Sequence, residues 1–401
     1  MEAIVQSEDY LTQLRVLMEP KENLKQHGFI TQPLTEEELL LKRRCLGCKK
    51  AMSQLRGRER KDPGIAVSAH AANNGTGSLP ATEAAALVLA TPVAAATEVA
   101  ENQSIDPAKP APVPRFKCKF HPGEVVDKYW TCCDQHCTAD PCSGAHFHDP
   151  QDESLVKLVQ HHQLYHTPIV HGRVGRQDIR AAVALDCEMG TAKTGDSELI
   201  KLTLIDYFTG EILIDKIVEP DVPLQHLNTK WSGVTWGQVR AAQRKRTSLQ
   251  APAGARRALW KFVGPETIVV GHGVHNDFKS LKWIHEHVVD SFIIEFKIKK
   301  RIDEQEKKAQ EEAIAKAKAD GTCVEPVKED AVPTEAANGG AAPAQKKRKR
   351  KGGNLSLRGL AERRLNRKIQ LGEGKTGHDS VEDTFATRDL VHWHITHPGA
   401  E

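Results

Sequence analysis

Apolar positions concentrate in the second half of the chain, where short apolar runs alternate with amphipathic stretches. "AAVALDCEM" (Ala181–Met189), "LIKLTLIDYFTG" (Leu199–Gly210) and "EILIDKIVEP" (Glu211–Pro220) read as three consecutive strands. "ARRALWKFV" (Ala255–Val263) is helical, "TIVVGHG" (Thr267–Gly273) is a strand, "FKSLKWIHEHV" (Phe278–Val288) is helical and "VVDSFII" (Val288–Ile294) is strand-like. A three-strand meander followed by alternation predicts a mixed sheet with flanking helices. Residues 300–353 interrupt this pattern, first with Lys, Glu and Ala at helical spacing, then with Pro, Ala, Gly and a basic run, and are expected to form a disordered surface insertion. "LSLRGLAERRLNRKIQ" (Leu355–Gln370) and "SVEDTFATRDLVHWHI" (Ser380–Ile395) then read as two amphipathic helices. No internal repeat is apparent.

The first half is organised differently. Residues 1–62 form a partly helical segment with a cysteine pair, and residues 63–114, rich in Ala, Pro, Thr, Asn and Gly, read as a disordered linker. A Cys/His segment occupies 115–150, a polar linker 151–177, and the main domain 178–398. Only 5% of residues are aromatic and 27% are charged, so the core must be local. The net charge of +3 is too small to argue for nucleic-acid binding, and any basic surface has to be a patch. Nine cysteines, mostly clustered with histidines, favour an intracellular metal-binding use over a disulfide framework. "MEAIVQSEDY" has neither the basic start nor the apolar core of a signal peptide, and Glu83, Pro92 and Glu98 break the longest small-residue stretch, which argues against a membrane span.

The first strand carries two carboxylates, Asp186 and Glu188, one residue apart. On a strand they project to one face while Cys187 points to the other, as a packed core thiol. Like charges so placed cost energy unless a cation lies between them, and oxygen-only ligands suit Mg²⁺ or Mn²⁺. An exposed strand edge carries such pairs too, so further residues are needed. Asp277 follows a strand and a Gly-rich turn, His378 precedes the last helix, and Asp383 lies in its first two turns. Four carboxylates and an imidazole are what two divalent ions need for in-line phosphoryl displacement: the ions activate a water and stabilise the leaving oxygen, and a neutral histidine takes the proton. Asp277 as a plain helix N-cap, or His378 as a bond to the helix start, are the structural alternatives. His272, His275, His285 and His392 are expected to be structural or surface residues.

These segments, with "NTKWSGVTW" (Asn228–Trp236) and "IQLGEGKTGHDSVEDTFAT" (Ile369–Thr387), resemble the DEDDh 3′-to-5′ exonucleases, and among them the Rex-type RNA exonucleases, over about Asp178 to Thr396. The resemblance implies an RNase H-like α/β fold with a mixed five-stranded sheet. It implies Asp186, Glu188, Asp277 and Asp383 as ligands of two Mg²⁺ or Mn²⁺ ions, and His378 as general base. Gly190 after the first motif and Thr384 in place of a smaller residue depart from the pattern, and the insertion separates Asp277 from His378.

The Cys/His segment contains Cys118 and His121 in a C-x2-H step, followed by Cys132, Cys133, Cys137, Cys142, His146 and His148; Cys45 and Cys48 form a C-x2-C step upstream. Such tight steps suit tetrahedral Zn²⁺. The arrangement resembles the second half of CHORD zinc modules and the zinc segments upstream of fungal exonucleases of this type. Cys45, Cys48, Cys118 and His121 are expected at one site, with Cys132 or Cys133, Cys142 and His148 at another. Closing the intervening linker costs roughly 4 kcal/mol, less than the ~10 to 16 kcal/mol of a structural zinc.

The expected function is therefore exonucleolytic release of nucleoside monophosphates from RNA 3′ ends, in nuclear RNA processing. A single-stranded DNA exonuclease and a non-catalytic RNA-binding adaptor are the alternatives. "KKRKRK" (Lys346–Lys351) is expected to be read by an import receptor, giving a nuclear or nucleolar location; phosphate capture and a merely solvated loop are its other readings.

Overall fold

The structure is a computed structural model that describes residues 4–59, 116–169, 178–319, 355–372 and 377–399. Its residues fall into two compact units, one formed by Met1–Leu39 with Val156–Glu401 and the other by Leu40–Leu155.

The larger unit is built on a mixed sheet. Strands β1 (Ala182–Ala192), β2 (Ser197–Asp206) and β3 (Ile212–Glu219) form the antiparallel meander. Two short strands extend it: β4 (Leu224–His226) pairs with the end of β1, and β5 (Leu249–Gln250) runs parallel to β3. On the other side β6 (Ile268–Gly271) lies parallel to β1, and β7 (Val288–Asp290) parallel to β6. The five principal strands are thus ordered β3-β2-β1-β6-β7, the mixed α/β arrangement expected, and with β4 and β5 the sheet has seven strands where five were expected.

Alternation along β1 decides what each face meets. Val183, Leu185 and Cys187 enter a core with Leu202, Leu204, Val269 and Leu259 of helix Ala251–Leu259, together with Leu24 and Phe29. Ala182 and Ala184 face Ile205, Val270 and two residues of the C-terminal helix, Val391 and Ile395. Asp186 and Glu188 therefore lie on the face this C-terminal helix covers.

Four expectations are corrected. Helices α1 (Glu8–Val16) and α2 (Lys21–Gln26) belong to the larger unit, not to a separate segment 1–62. Leu11 and Leu14 are buried against the sheet, and the Tyr10 hydroxyl lies 3.0 Å from that of Tyr207 and 2.8 Å from His392 Nδ1. The expected linker 151–177 contains helix Leu155–His162 and strand Tyr165–His166, which pairs with Trp283–Ile284. That pairing also ends the helix predicted over Phe278–Val288: helix His275–Ser280 stops where Lys282 turns to φ 53°, and Trp283 is fully buried with its indole N–H donating to Thr167. Finally, residues 300–319 continue the helix Ser291–Ala319 rather than being disordered. Ile293 and Ile298 anchor its start, and Lys–carboxylate pairs at i,i+4, such as Lys299–Asp303 and Lys307–Glu311, support its exposed part. Lys346–Lys351 lies outside the described residues.

The smaller unit has almost no apolar core. Strand Cys118–Phe120 pairs antiparallel with Ser143–Ala145, and Val125–Val126 with Tyr129–Trp130. Among its described residues the buried apolar positions are Cys45, Ala51 and Cys118. Among the described residues of the chain, no helix is long and apolar enough to cross a membrane.

Candidate functional site

Each acidic residue is placed by its own element. The helices around the site are α3 (Trp236–Lys245), α4 (Ala251–Leu259), α5 (His275–Ser280), α6 (Ser291–Ala319), α7 (Leu357–Leu365) and α8 (Ser380–Thr396). Asp186 and Glu188 share a face of β1, opposite Thr203 and Lys201 of β2. Asp277, in the first turn of α5, is buried and accepts the Cys187 amide at 3.0 Å. The turn that delivers it is held by Asp290 at the end of β7, fully buried, which accepts the amides of Gly273 (2.8 Å), Val274 (3.1 Å) and Phe292 (2.9 Å). Asp379 caps α8 through the Val381 amide, and Asp383 sits one turn on, buried to 4% exposure.

The carboxylates feel one another. Burial, then Asp277, Glu188 and Asp383, raise the Asp186 carboxyl well above its ordinary range. Burial, then Asp383 and Asp277, push Glu188 up to about 9, while Lys201 opposes. Burial raises Asp277 to about 8 despite the amide hydrogen bonds it accepts. Three acids so disfavoured as anions form a site that a cation would complete. They are not drawn into a tight cage: among the described residues the groups of three or more donor atoms within 4.8 Å of one another are two cysteine–histidine clusters.

His378 stands at the rim, half-exposed, with Nδ1 3.4 Å from Asp383 Oδ2. Its amide donates to the Trp231 carbonyl at 2.7 Å. Gly377 makes that approach possible: its φ is +73°, and a Cβ there would come within 2.3 Å of the Gly233 nitrogen. A depression of about 420 Å³ lies between these parts, lined by Glu188, Met189, Asn228, Trp231 and His378 among others.

Two contributors were not singled out in the sequence. Gln370 donates its side-chain amide to both Asp383 oxygens, at 3.1 and 2.9 Å, and its backbone amide to Glu382 at 2.9 Å. Lys201, a lone cation in the apolar run "LIKLTL", is held 3.0 Å from Asp215 beside Glu188; its position in that run was the available signal. Of the other histidines, His272 bonds Ser291 (3.0 Å), His285 bonds Thr167 (2.8 Å) and the Thr267 carbonyl (2.7 Å), and burial lowers both to about 4. Both are neutral structural groups.

The eight Cys/His candidates assemble into two groups of four, with the two histidines exchanged relative to expectation. Cys45, Cys48 and Cys118 gather with His148, and Cys132, Cys133 and Cys142 with His121. Chain pairing is the reason. Residues 149–151 run antiparallel beside 44–46, through Leu46 N to the Asp149 carbonyl (2.7 Å) and Gln151 N to the Arg44 carbonyl (2.7 Å), which carries His148 to the C-x2-C turn. The Cys45 and Cys118 sulfurs are 3.6 Å apart, and Cys48 Sγ is 3.5 Å from His148 Nδ1. Burial disfavours the Cys45 thiolate, but the Cys48 amide, His148 and the Gly47 and Asp149 amides bring it down to about 6, while burial and the neighbouring thiols push Cys118 up to about 12. In the second group His121 stacks on Trp130 with centroids 4.3 Å apart, and its Nε2 lies 3.3 Å from the Ala139 carbonyl. A carbonyl only accepts, so Nε2 carries the proton and Nδ1, 3.5 Å from Cys133 Sγ, keeps its lone pair for a metal ion. Three thiols and an imidazole suit Zn²⁺.

No family model matches the chain. It is similar to RNA exonuclease 3 of Emericella nidulans, 27% identical over 308 residues that span 71% of this chain and 39% of that protein. It is also similar to RNA exonuclease 3 of Candida albicans, 25% identical across 69% of this chain and 54% of that one. A shorter stretch, 26% of this chain and 30% of the other, is 39% identical to human apoptosis-enhancing nuclease. The chain thus spans between 39% and 54% of the length of these two fungal relatives. Among solved structures, the Neurospora crassa Pan2 catalytic unit aligns with 58% of this chain and 30% of its own, at 18% identity and a TM-score of 0.34.

Proposed function

We propose that this chain is a metal-dependent 3′-to-5′ exonuclease acting on RNA and releasing nucleoside monophosphates. The observation that carries the reading is the convergence of three separate segments: Asp186 and Glu188 share a face of β1, Asp277 accepts the intervening Cys187 amide at 3.0 Å, and Asp383 lies 3.4 Å from His378. Relatives named RNA exonuclease 3 support RNA as the substrate.

Asp186, Glu188, Asp277 and Asp383 offer oxygen donors only, which fits Mg²⁺ or Mn²⁺. When bound, two such ions supply an activated water and charge stabilisation for phosphoryl displacement. The protein's own groups prepare that chemistry. Asp290 fixes the turn that presents Asp277, Gln370 fixes Asp383, and the Trp231 carbonyl anchors the His378 backbone. His378, with Nδ1 toward Asp383, keeps Nε2 available to receive a proton. In the smaller unit, Zn²⁺ at the two Cys/His groups would be structural, replacing the missing apolar core. The basic run Lys346–Lys351 motivates a nuclear location through an import receptor.

Purified protein incubated with 5′-labelled single-stranded RNA or DNA of equal sequence, with Mg²⁺, with EDTA, and with Mg²⁺ restored, tests this. Mg²⁺-dependent shortening of the RNA from its 3′ end is expected, lost in Asp186→Asn. Internal cuts, or shortening that persists in EDTA, would overturn it; preferential shortening of the DNA would move the activity to single-stranded DNA.

A further inference from the structure

Two tryptophans stand in solvent next to the acidic depression. Trp231 is 61% exposed and Trp236 45% exposed, although both belong to a segment whose other apolar residues, Leu227, Val234 and Val239, are buried. Large aromatic rings held in water add nothing to the core, so the fold does not explain them. They line a second depression of about 350 Å³, with His226 and Lys230, and this depression shares Asn228 and Trp231 with the one that contains Glu188 and His378. Lys230 places its ammonium 5.5 Å from the Trp231 ring centre.

The aromatic wall continues into a cationic one. Trp236 opens α3, whose start is fixed by a capping box between Thr235 and Gln238. Arg240 and Arg244 follow at successive four-residue steps, each about 6 Å along the axis. Both are exposed, and among the described residues neither has an ion-pair partner. Rings followed by regularly spaced guanidiniums make a surface for unstacked bases and the phosphates that connect them. A duplex presents no free base faces to such rings.

We infer that Trp231, Trp236, Arg240 and Arg244 form a track for the single-stranded RNA segment lying 5′ of the nucleotide in the catalytic depression. Trp231 stacks at the boundary, Trp236 takes a base in the second depression, and Arg240 and Arg244 pair with the phosphates beyond. The inference rests on the exonuclease reading, but the binding measurements that decide it do not depend on cleavage.

Binding of a 5′-fluorescent ten-nucleotide RNA is measured by anisotropy in the Asp186→Asn background with Mg²⁺ present, across a range of salt. Trp236→Ala is expected to weaken binding roughly tenfold, with Trp236→Phe restoring most of it. Arg240→Gln with Arg244→Gln should flatten the salt slope by about 1.4, two phosphates at ~0.7 each, and the Lys pair should restore it. In the active chain, the loss of cleavage rate in Trp236→Ala should be about tenfold greater on the ten-nucleotide RNA than on a dinucleotide, which reaches Trp231 but ends before Trp236. Unchanged affinity in Trp236→Ala with an unchanged salt slope in the arginine pair would overturn the track, as would rescue of neither defect by Phe or Lys. Failure of the wild-type chain to shorten RNA would overturn the exonuclease reading, while the binding measurements still decide the track.

Discussion

Gln370 donates its side-chain amide to both carboxylate oxygens of Asp383, at 3.1 and 2.9 Å, from a backbone position with φ 56°. A left-handed conformation in a residue other than glycine is strained and persists where its surroundings hold it. Here the Gln370 amide donates to Glu382 one residue before Asp383, so the strained turn and the acid are clamped together. Gln370→Ala is expected to lower activity or divalent-metal affinity about 10- to 100-fold, as loss of a residue orienting a ligand does. The Mg²⁺ or Mn²⁺ concentration for half-maximal rate, together with kcat, checks this; wild-type values for both would make Gln370 incidental.

Gly377 sets where His378 stands. A methyl at this position meets the Gly233 backbone and faces a disfavoured φ of +73°. Gly377→Ala should therefore push the histidine loop away and reduce kcat, by up to the ~10² to 10⁴-fold expected for His378→Ala, while leaving divalent-metal binding largely intact. Isothermal titration with Mn²⁺ beside single-turnover rates separates the two effects. Equal loss of metal binding would mean that the change spreads to the carboxylates.

The acidic site should make the chain pH-sensitive when no divalent ion is supplied. Glu188 and Asp277 are raised in the folded state to about 9 and about 8, and Asp186 is raised with them. A carboxyl whose folded pKa exceeds its unfolded value contributes stability below the unfolded range, and this is lost as pH climbs through the folded value. Without added Mg²⁺, Tm should fall between about pH 5 and pH 9, and Mg²⁺ or Mn²⁺ should flatten the fall by favouring the anions. Asp186→Asn removes one of the crowded charges, so its Tm should fall less over the same interval while nuclease activity disappears. A parallel fall in wild type and variant would place the pH sensitivity elsewhere.

The histidine exchange in the smaller unit predicts a stoichiometric pattern. Two zinc ions per chain are expected by elemental analysis. Cys45→Ser and His148→Ala should each lose one, and their combination should still lose only one, because both belong to a single group. Cys45→Ser with His121→Ala should lose both. The reverse pattern would restore the pairing of His121 with Cys45. Chelation should unfold this unit, whose buried apolar residues among those described are Cys45, Ala51 and Cys118.

What the chain determined by itself was local. An i,i+2 pair on an apolar strand puts Asp186 and Glu188 on one face and Cys187 in the core, because side-chain direction on a strand alternates whatever it packs against. The helix-start positions of Asp277 and Asp383 were legible in the same way, from turns and caps. Tertiary structure decided everything that depends on which distant segments meet. Tyr10 reaches Tyr207 and His392 across most of the chain, so the N-terminal helices join the larger unit. His148, not His121, reaches Cys45, because residues 149–151 pair with 44–46. Gln370 becomes part of the acidic site only through the packing that sets it against α8, and Trp231 stands beside His378 only because Gly377 can touch Gly233. Periodicity reports which way a side chain points and carries no information about its partner; that is settled by the burial and backbone pairing of residues far apart in sequence.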